Sequence, residues 1–166
     1  MRKLFIISLA LCLVLTGCFS AKNAAGPNYS SKMSRLEYIE NALLAIDKRD
    51  KAALLELFSD ESKSRYDLDT EIDAAFDFFE GTINYVDRSY EAASNSMESW
   101  RDGDTEYIFV EPHISDVRTT AGKSYEIVLG AYLINADDEA KEGISYLSIY
   151  DNANEDDFVN VGGYEN

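Results

Sequence analysis

At Gly81 the hydrophobic rhythm of this chain changes, and that change limits what the chain can fold into. Upstream, Leu36, Ile39, Leu43 and Ile46 recur at steps of 3, 4 and 3, the stripe of an amphipathic helix. Ser34-Arg35-Leu36-Glu37 stands in front of it as a capping box, in which Ser34 and Glu37 satisfy each other's orphan amides. Asp50 is placed to cap a second short helix with Leu54, Leu55, Leu57 and Phe58 on its buried side. Asp67 starts a third, with Leu68, Ile72, Ala75, Phe76 and Phe79 on one face and Gly81 where a left-handed C-cap belongs.

From Thr82 the period is two. Ile83 to Glu91 alternates loosely, and the polar stretch up to Ser99 fits no pattern well. Asp102-Gly103 signals a hairpin turn, and Tyr107 to Val117 reads as a strand that Pro112 marks as an edge or a bulge. After a turn at Ala121-Gly122, Ser124–Asn135 is apolar enough to be a central strand buried on both faces. Ile144–Tyr150 alternates again, and Phe158–Val161 adds a short strand after an acidic loop. Helices followed by a meander of strands predict an α+β domain: three N-terminal helices packed on a curved antiparallel sheet of four to five strands.

The N-terminus has a separate logic. Met1-Arg2-Lys3 is basic, and Leu4 to Leu15 is twelve residues of nearly pure hydrocarbon, the layout of a secretory signal. A membrane-spanning helix needs about 20 apolar residues, so this run is short for a span. It ends in Leu15-Thr16-Gly17-Cys18, which resembles the bacterial lipobox. The resemblance implies a diacylglyceryl thioether on Cys18, cleavage before it, and a protein held on the outer face of the cell membrane. Two or more acyl chains make such anchoring stable. The expected organisation is a signal peptide at 1–17, a lipidated N-terminus and flexible linker at 18–32, and a globular domain at 33–166.

Maturation removes Cys12 and acylates Cys18, so the remaining domain has no disulfide and must be stable by packing alone. Loss of Arg2 and Lys3 takes the formal charge from −16 to −18. A surface this negative repels phosphate backbones, so no nucleic-acid partner is expected. It also disfavours lying flat on anionic lipid, which leaves the acyl chains as the membrane attachment.

The order and length of the elements resemble the cone-shaped folds of nuclear transport factor two, ketosteroid isomerase and the SnoaL-type cyclases. More closely, the chain resembles a family of uncharacterised lipoproteins of Gram-positive bacteria with a domain of unknown function. The residues that carry this likeness are the lipobox, Lys51-Ala-Ala-Leu-Leu-Glu-Leu-Phe58, Asp73-Ala-Ala-Phe-Asp-Phe-Phe-Glu-Gly81 running into Ile83 and Tyr85, and Gly162-Gly163-Tyr164. The likeness implies a cystatin-like or SnoaL-like cone and a surface location, with no established activity.

A cone opens a pocket between helices and sheet, and Tyr85, Tyr107, Glu111 and His113 are the candidates to line it. His113 is the only histidine, and on an alternating strand it shares a face with Tyr107, Phe109 and Glu111. A Glu/His pair beneath aromatics suits ligand binding or a proton shuttle, whereas no nucleophile motif supports a triad. Asp73, Asp77 and Glu80 lie on one side of the third helix, either as paired acid–base carboxylates or, more plainly, as its wet face. Eleven tyrosines suit sugar, peptide or protein surfaces, and tyrosine also simply favours strands.

Of the acidic loops Asp137–Glu139 and Asp151–Asp157, the second superficially resembles a calcium loop. Read from Asn152 it lacks the glycine at position 6 and has Gly163 in place of the closing glutamate, so both read as solvated loops. With no zinc spacing and no phosphate- or dinucleotide-binding glycine loop, neither metal nor cofactor is expected. The sequence therefore points to a non-catalytic, lipid-anchored domain that binds an unidentified protein or small molecule. The alternatives are an isomerase- or cyclase-type enzyme with Glu111 or His113 as base, and an acidic immunity or inhibitor protein.

Overall fold

The computed structural model describes residues 33–91 and 96–163. Residues 1–32, where a signal peptide, Cys18 and a linker are expected, lie outside the described residues. Among the described residues four helices precede the sheet: α1 (Arg35–Lys48), α2 (Lys51–Leu57), α3 (Asp60–Arg65) and α4 (Leu68–Phe78). The caps are those written in the sequence. Ser34 Oγ accepts from the Glu37 amide while Glu37 Oε2 accepts from the Ser34 amide at 2.7 Å. Asp50 Oδ1 accepts from Ala53 N at 3.0 Å, and Asp67 Oδ1 from Thr70 N at 3.4 Å.

The helix count differs from the expected three because α3, with sequence Asp-Glu-Ser-Lys-Ser-Arg, carries no apolar stripe. Ser59 caps it, and its one buried residue is Ser62.

Seven strands form one open antiparallel sheet rather than the expected four to five. They are β1 (Ile83–Val86), β2 (Ser96–Arg101), β3 (Asp104–Val110), β4 (His113–Thr119), β5 (Ser124–Asn135), β6 (Gly143–Asp151) and β7 (Asn154–Gly162). The additional strands have identifiable origins. β3 and β4 run end to end along one edge of β5, Val110 facing Ala131 and His113 facing Val128. They are two strands because Pro112 has no N–H to give the ladder; its carbonyl still accepts from Leu129 N at 3.3 Å. β2 flanks β3 through the Asp102-Gly103 hairpin, and β1 flanks β4. On the other side of β5 lie β6 and then β7. Irregular pairing at Ile108/Phe109, Ile114/Val117 and Gly130/Ala131 bends the central strands.

Alternation along β5 assigns the two faces. Ile127, Leu129 and Ala131 join Ile39, Ile46, Leu54, Ile72 and Phe76 in one core beneath the helices. Val128 instead belongs to a second cluster on the opposite face, with Phe109 and Tyr146 and flanked by Tyr107, Tyr132 and Tyr150. Tyr125 locks the layers together: its hydroxyl donates to Phe78 O at 3.2 Å and accepts from Glu80 N at 3.0 Å, at the end of α4. Gly81 follows at φ +85°, and a Cβ there would stand 2.8 Å from Ala121 N.

The space between α1, α2, α4 and the sheet is filled with side chains, and this corrects the expectation of a pocket there. Apolar residues of those three helices meet those of the sheet directly, and the cavity lies instead on the other face, where α3 reaches the start of β6.

Candidate ligand-binding site

The site is built around a missing side chain. Gly130 pairs with Tyr146 on β6, and on its other side Glu111 is the next residue after Val110, which faces Ala131. Two strands that flank a third stand about 10 Å apart, so a side chain at position 130 would fill the space between Glu111 and Tyr146. A Cβ at Gly130 would lie 2.2 Å from Tyr146 Cε1 and 2.9 Å from Phe109 Cζ. With glycine there, the Tyr146 ring crosses the bare backbone and its hydroxyl donates to Glu111 Oε2.

Above this floor is a cavity of about 220 Å³ walled by Phe109, Tyr132, Tyr146, Tyr66 and Met97. A second hollow of about 310 Å³, lined by Ser96, Met97, Phe109 and Glu111, continues from it along β2. The far wall is α3. Ser59 N donates to Ile144 O at 2.9 Å and Ser62 Oγ to Ser145 O at 3.1 Å, which stitches the helix to the start of β6. That stitching brings Glu61, Arg65 and Tyr66 to the rim.

The charges at the rim are mixed. Arg65 Nη1 pairs with Glu61 Oε1 at 3.0 Å. Lys141, on the 3-10 turn Glu139–Lys141 after β5, lines the cavity half-buried and has no side-chain partner among the described residues. Glu111 is 29% exposed and engaged from two sides, by Tyr146 and by His113 Nε2 at 3.3 Å.

His113 is 44% exposed, outside the cavity, and its Nδ1 faces Glu126 Oε1 at 2.9 Å. Partial burial pulls its pKa down, but hydrogen bonds and charge from Glu126 and Glu111 outweigh this and hold it above the ordinary 6.5. The chain Glu126–His113–Glu111–Tyr146 thus fixes the cavity carboxylate in one orientation.

Of the four residues singled out from sequence, the structure puts one in the cavity, two in support of it and one elsewhere. Glu111 lines the cavity and His113 braces it. Tyr107 packs edge-on against Tyr132, with ring centroids 6.1 Å apart, as support behind the wall. Tyr85 does not take part: a bulge between Ile83 and Tyr85 leaves it on β1, 47% exposed, with the Arg118 guanidinium over its ring.

Asp73, Asp77 and Glu80 form the wet face of α4, paired respectively with Lys51 at 2.7 Å, Arg49 at 4.0 Å and Lys123 at 3.8 Å. The acidic loops use their carboxylates locally, Asp138 accepting from Ala140 N and Asp151 from Ala153 N and Lys123. Among the described residues no group of three or more His, Cys, Asp or Glu side chains is placed to hold a metal ion. None of their helices is long and apolar enough to cross a membrane.

Residues 41–152 match the family described as a domain of unknown function, DUF5104. The chain belongs to that family. No curated protein matches the chain. The DUF5104 segment runs from the middle of α1 past the end of β6, so it contains every cavity residue from Glu61 to Tyr146 and leaves out Gly163. Arg65, Lys141 and Gly130 were not legible as site residues in the sequence. The only local signal was Gly130 itself, a glycine inside an otherwise apolar strand, which marks a close approach.

Proposed function

We propose that this DUF5104 protein is a non-catalytic binding domain, tethered outside the cell by the lipid on Cys18, that holds a small molecule on the outer face of its sheet. The observation that carries the reading is the aromatic hollow over Gly130, with Glu111 fixed at its floor. Aromatic walls with a few convergent polar groups are the usual make-up of ligand sites. The hollow over Gly130, about 220 Å³, is below the roughly 300–1,000 Å³ of pockets for drug-sized ligands, so the group that fills it is a small one. The anchor rests on the lipobox likeness, and helices on one face of a bulged antiparallel sheet support the cone-type likeness.

An isomerase-type reading requires a base in an enclosed apolar cavity. Glu111 is partly solvated and engaged by Tyr146 and His113, and His113 itself lies outside the cavity with both ring nitrogens facing carboxylates, Glu126 and Glu111. These features suit binding better than proton abstraction.

The test has two arms. A mass spectrum of the mature protein is expected to start at a diacylated Cys18; an unmodified Cys18 or retained residues 1–17 removes the tether from the proposal. Calorimetric titration of the full chain in detergent with a panel of small metabolites is expected to give saturable heat that Gly130→Val abolishes. No binding across the panel, or turnover of a substrate lost in His113→Ala, overturns the binding reading.

A further inference from the structure

The cavity has two ends of opposite sign. At one, the Glu111 carboxylate is oriented by Tyr146 on Oε2 and His113 on Oε1. Each carboxylate oxygen has two acceptor sites, so both keep capacity for a further donor. The rings of Phe109, Tyr132 and Tyr146 lie beside it, and aromatic faces attract a cation placed over them.

At the other end is the Lys141 ammonium, brought in by the turn after β5, where Glu142 bridges to Tyr132. Glu111 lies level with Gly130, so the Tyr132 and Tyr146 side chains separate the two charges along β5 and β6. Arg65, the second cation at the rim, is already paired with Glu61. An anion alone would meet Glu111, and a cation alone would leave Lys141 half-buried without a partner, which is unfavourable.

Resting on the binding reading above, we propose that the ligand is a small zwitterion, its ammonium against Glu111 and the aromatic rings and its carboxylate against Lys141. This gives each end a charge-assisted hydrogen bond, the stronger class of such bonds. It also explains how a domain of net negative charge takes a carboxylate: the anion is carried in by its own ammonium.

The experiment is calorimetric titration of the full chain in detergent with L-alanine and γ-aminobutyrate as short and long zwitterions. Butylamine and butyrate serve as the half-ligands, and methyl glucoside as a neutral probe. One zwitterion is expected to bind at least tenfold more tightly than either half-ligand. Glu111→Gln should erase its advantage over butyrate, and Lys141→Met, at an unpaired residue of a turn, its advantage over butylamine. A half-ligand binding as well as the zwitterion, or Lys141→Met without effect, overturns the inference. If methyl glucoside binds and no charged probe does, the ligand class is wrong while the binding reading stands. If nothing binds, both fall.

Discussion

The Tyr146 hydroxyl reaches Glu111 Oε2 from two strands away, and it can do so because the intervening β5 presents only the backbone of Gly130. Tyr146 is 5% exposed, so its hydroxyl needs a partner, and the carboxylate supplies a charged one. Tyr146→Phe is therefore expected to lower unfolding free energy by about 1.5–3 kcal/mol, the range for a hydrogen bond to a charged group. Urea denaturation checks it. The same variant frees the Glu111 carboxylate from one of its two donors, so ligand affinity should fall together with stability.

Gly130→Ala tests the other half of the relationship. A methyl group 2.2 Å from Tyr146 Cε1 cannot be accommodated without moving that ring. Overpacking of this kind costs about 1–3 kcal/mol. The position has ordinary backbone angles, so the loss comes from the displaced ring and not from φ strain. The expected result is lower stability with the fold retained, since the core beneath the helices lies on the opposite face. A crystal structure of the variant should show the Tyr146–Glu111 bond broken.

His113 links the site to pH. Its folded pKa is raised above 6.5 by Glu126 and Glu111 against the effect of burial, so between the unfolded and folded values the native state holds the extra proton. Stability from this contact is therefore fully present below about pH 6.5 and is lost as pH rises through the folded pKa. With the ring 44% exposed, solvent screens the interaction and the amplitude is small. Denaturation of the native protein and His113→Gln from pH 5 to 9 should show a downward slope in the first that is missing in the second. Above the folded pKa, Glu126 and Glu111 both face a neutral ring that can donate to only one of them.

What was legible beforehand follows from how local the causes are. Ser34, Asp50 and Asp67 act on amides three residues away, so their caps could be read directly. Ser124–Asn135 could be read because a strand covered on both faces is apolar at nearly every position. α3 could not, because its place is fixed by Ser59 and Ser62 bonding to Ile144 and Ser145, more than 80 residues on. The cavity depends on that same remote contact for Arg65 and Tyr66. Glu111 and His113 were placed on one face by alternation alone, which held across the Pro112 joint. Tyr85 was misplaced because a bulge shifts its register.

Asp47 tests how the edge of the sheet is tied to the helices. Its Oδ1 accepts from the Ile83 amide at 2.7 Å, joining the end of α1 to the first residue of β1. That bond, with a smaller contribution from Lys48 and against the effect of burial, holds the carboxyl below its ordinary 3.8. A carboxylate with a lowered folded pKa contributes stability that is present above its unfolded value and is lost as pH falls through the folded one. Asp47→Ala should cost about 1–2 kcal/mol at neutral pH, because it leaves the Ile83 N–H without its acceptor. Asp47→Asn keeps an acceptor oxygen and should recover part of that loss while flattening the acid limb of the stability curve. Hydrogen exchange at the Ile83 amide separates local from global effects: protection there should fall in Asp47→Ala before it falls at Ile127 and Leu129 in the centre of β5. Equal loss at all three amides would mean that β1 opens only when the whole domain does.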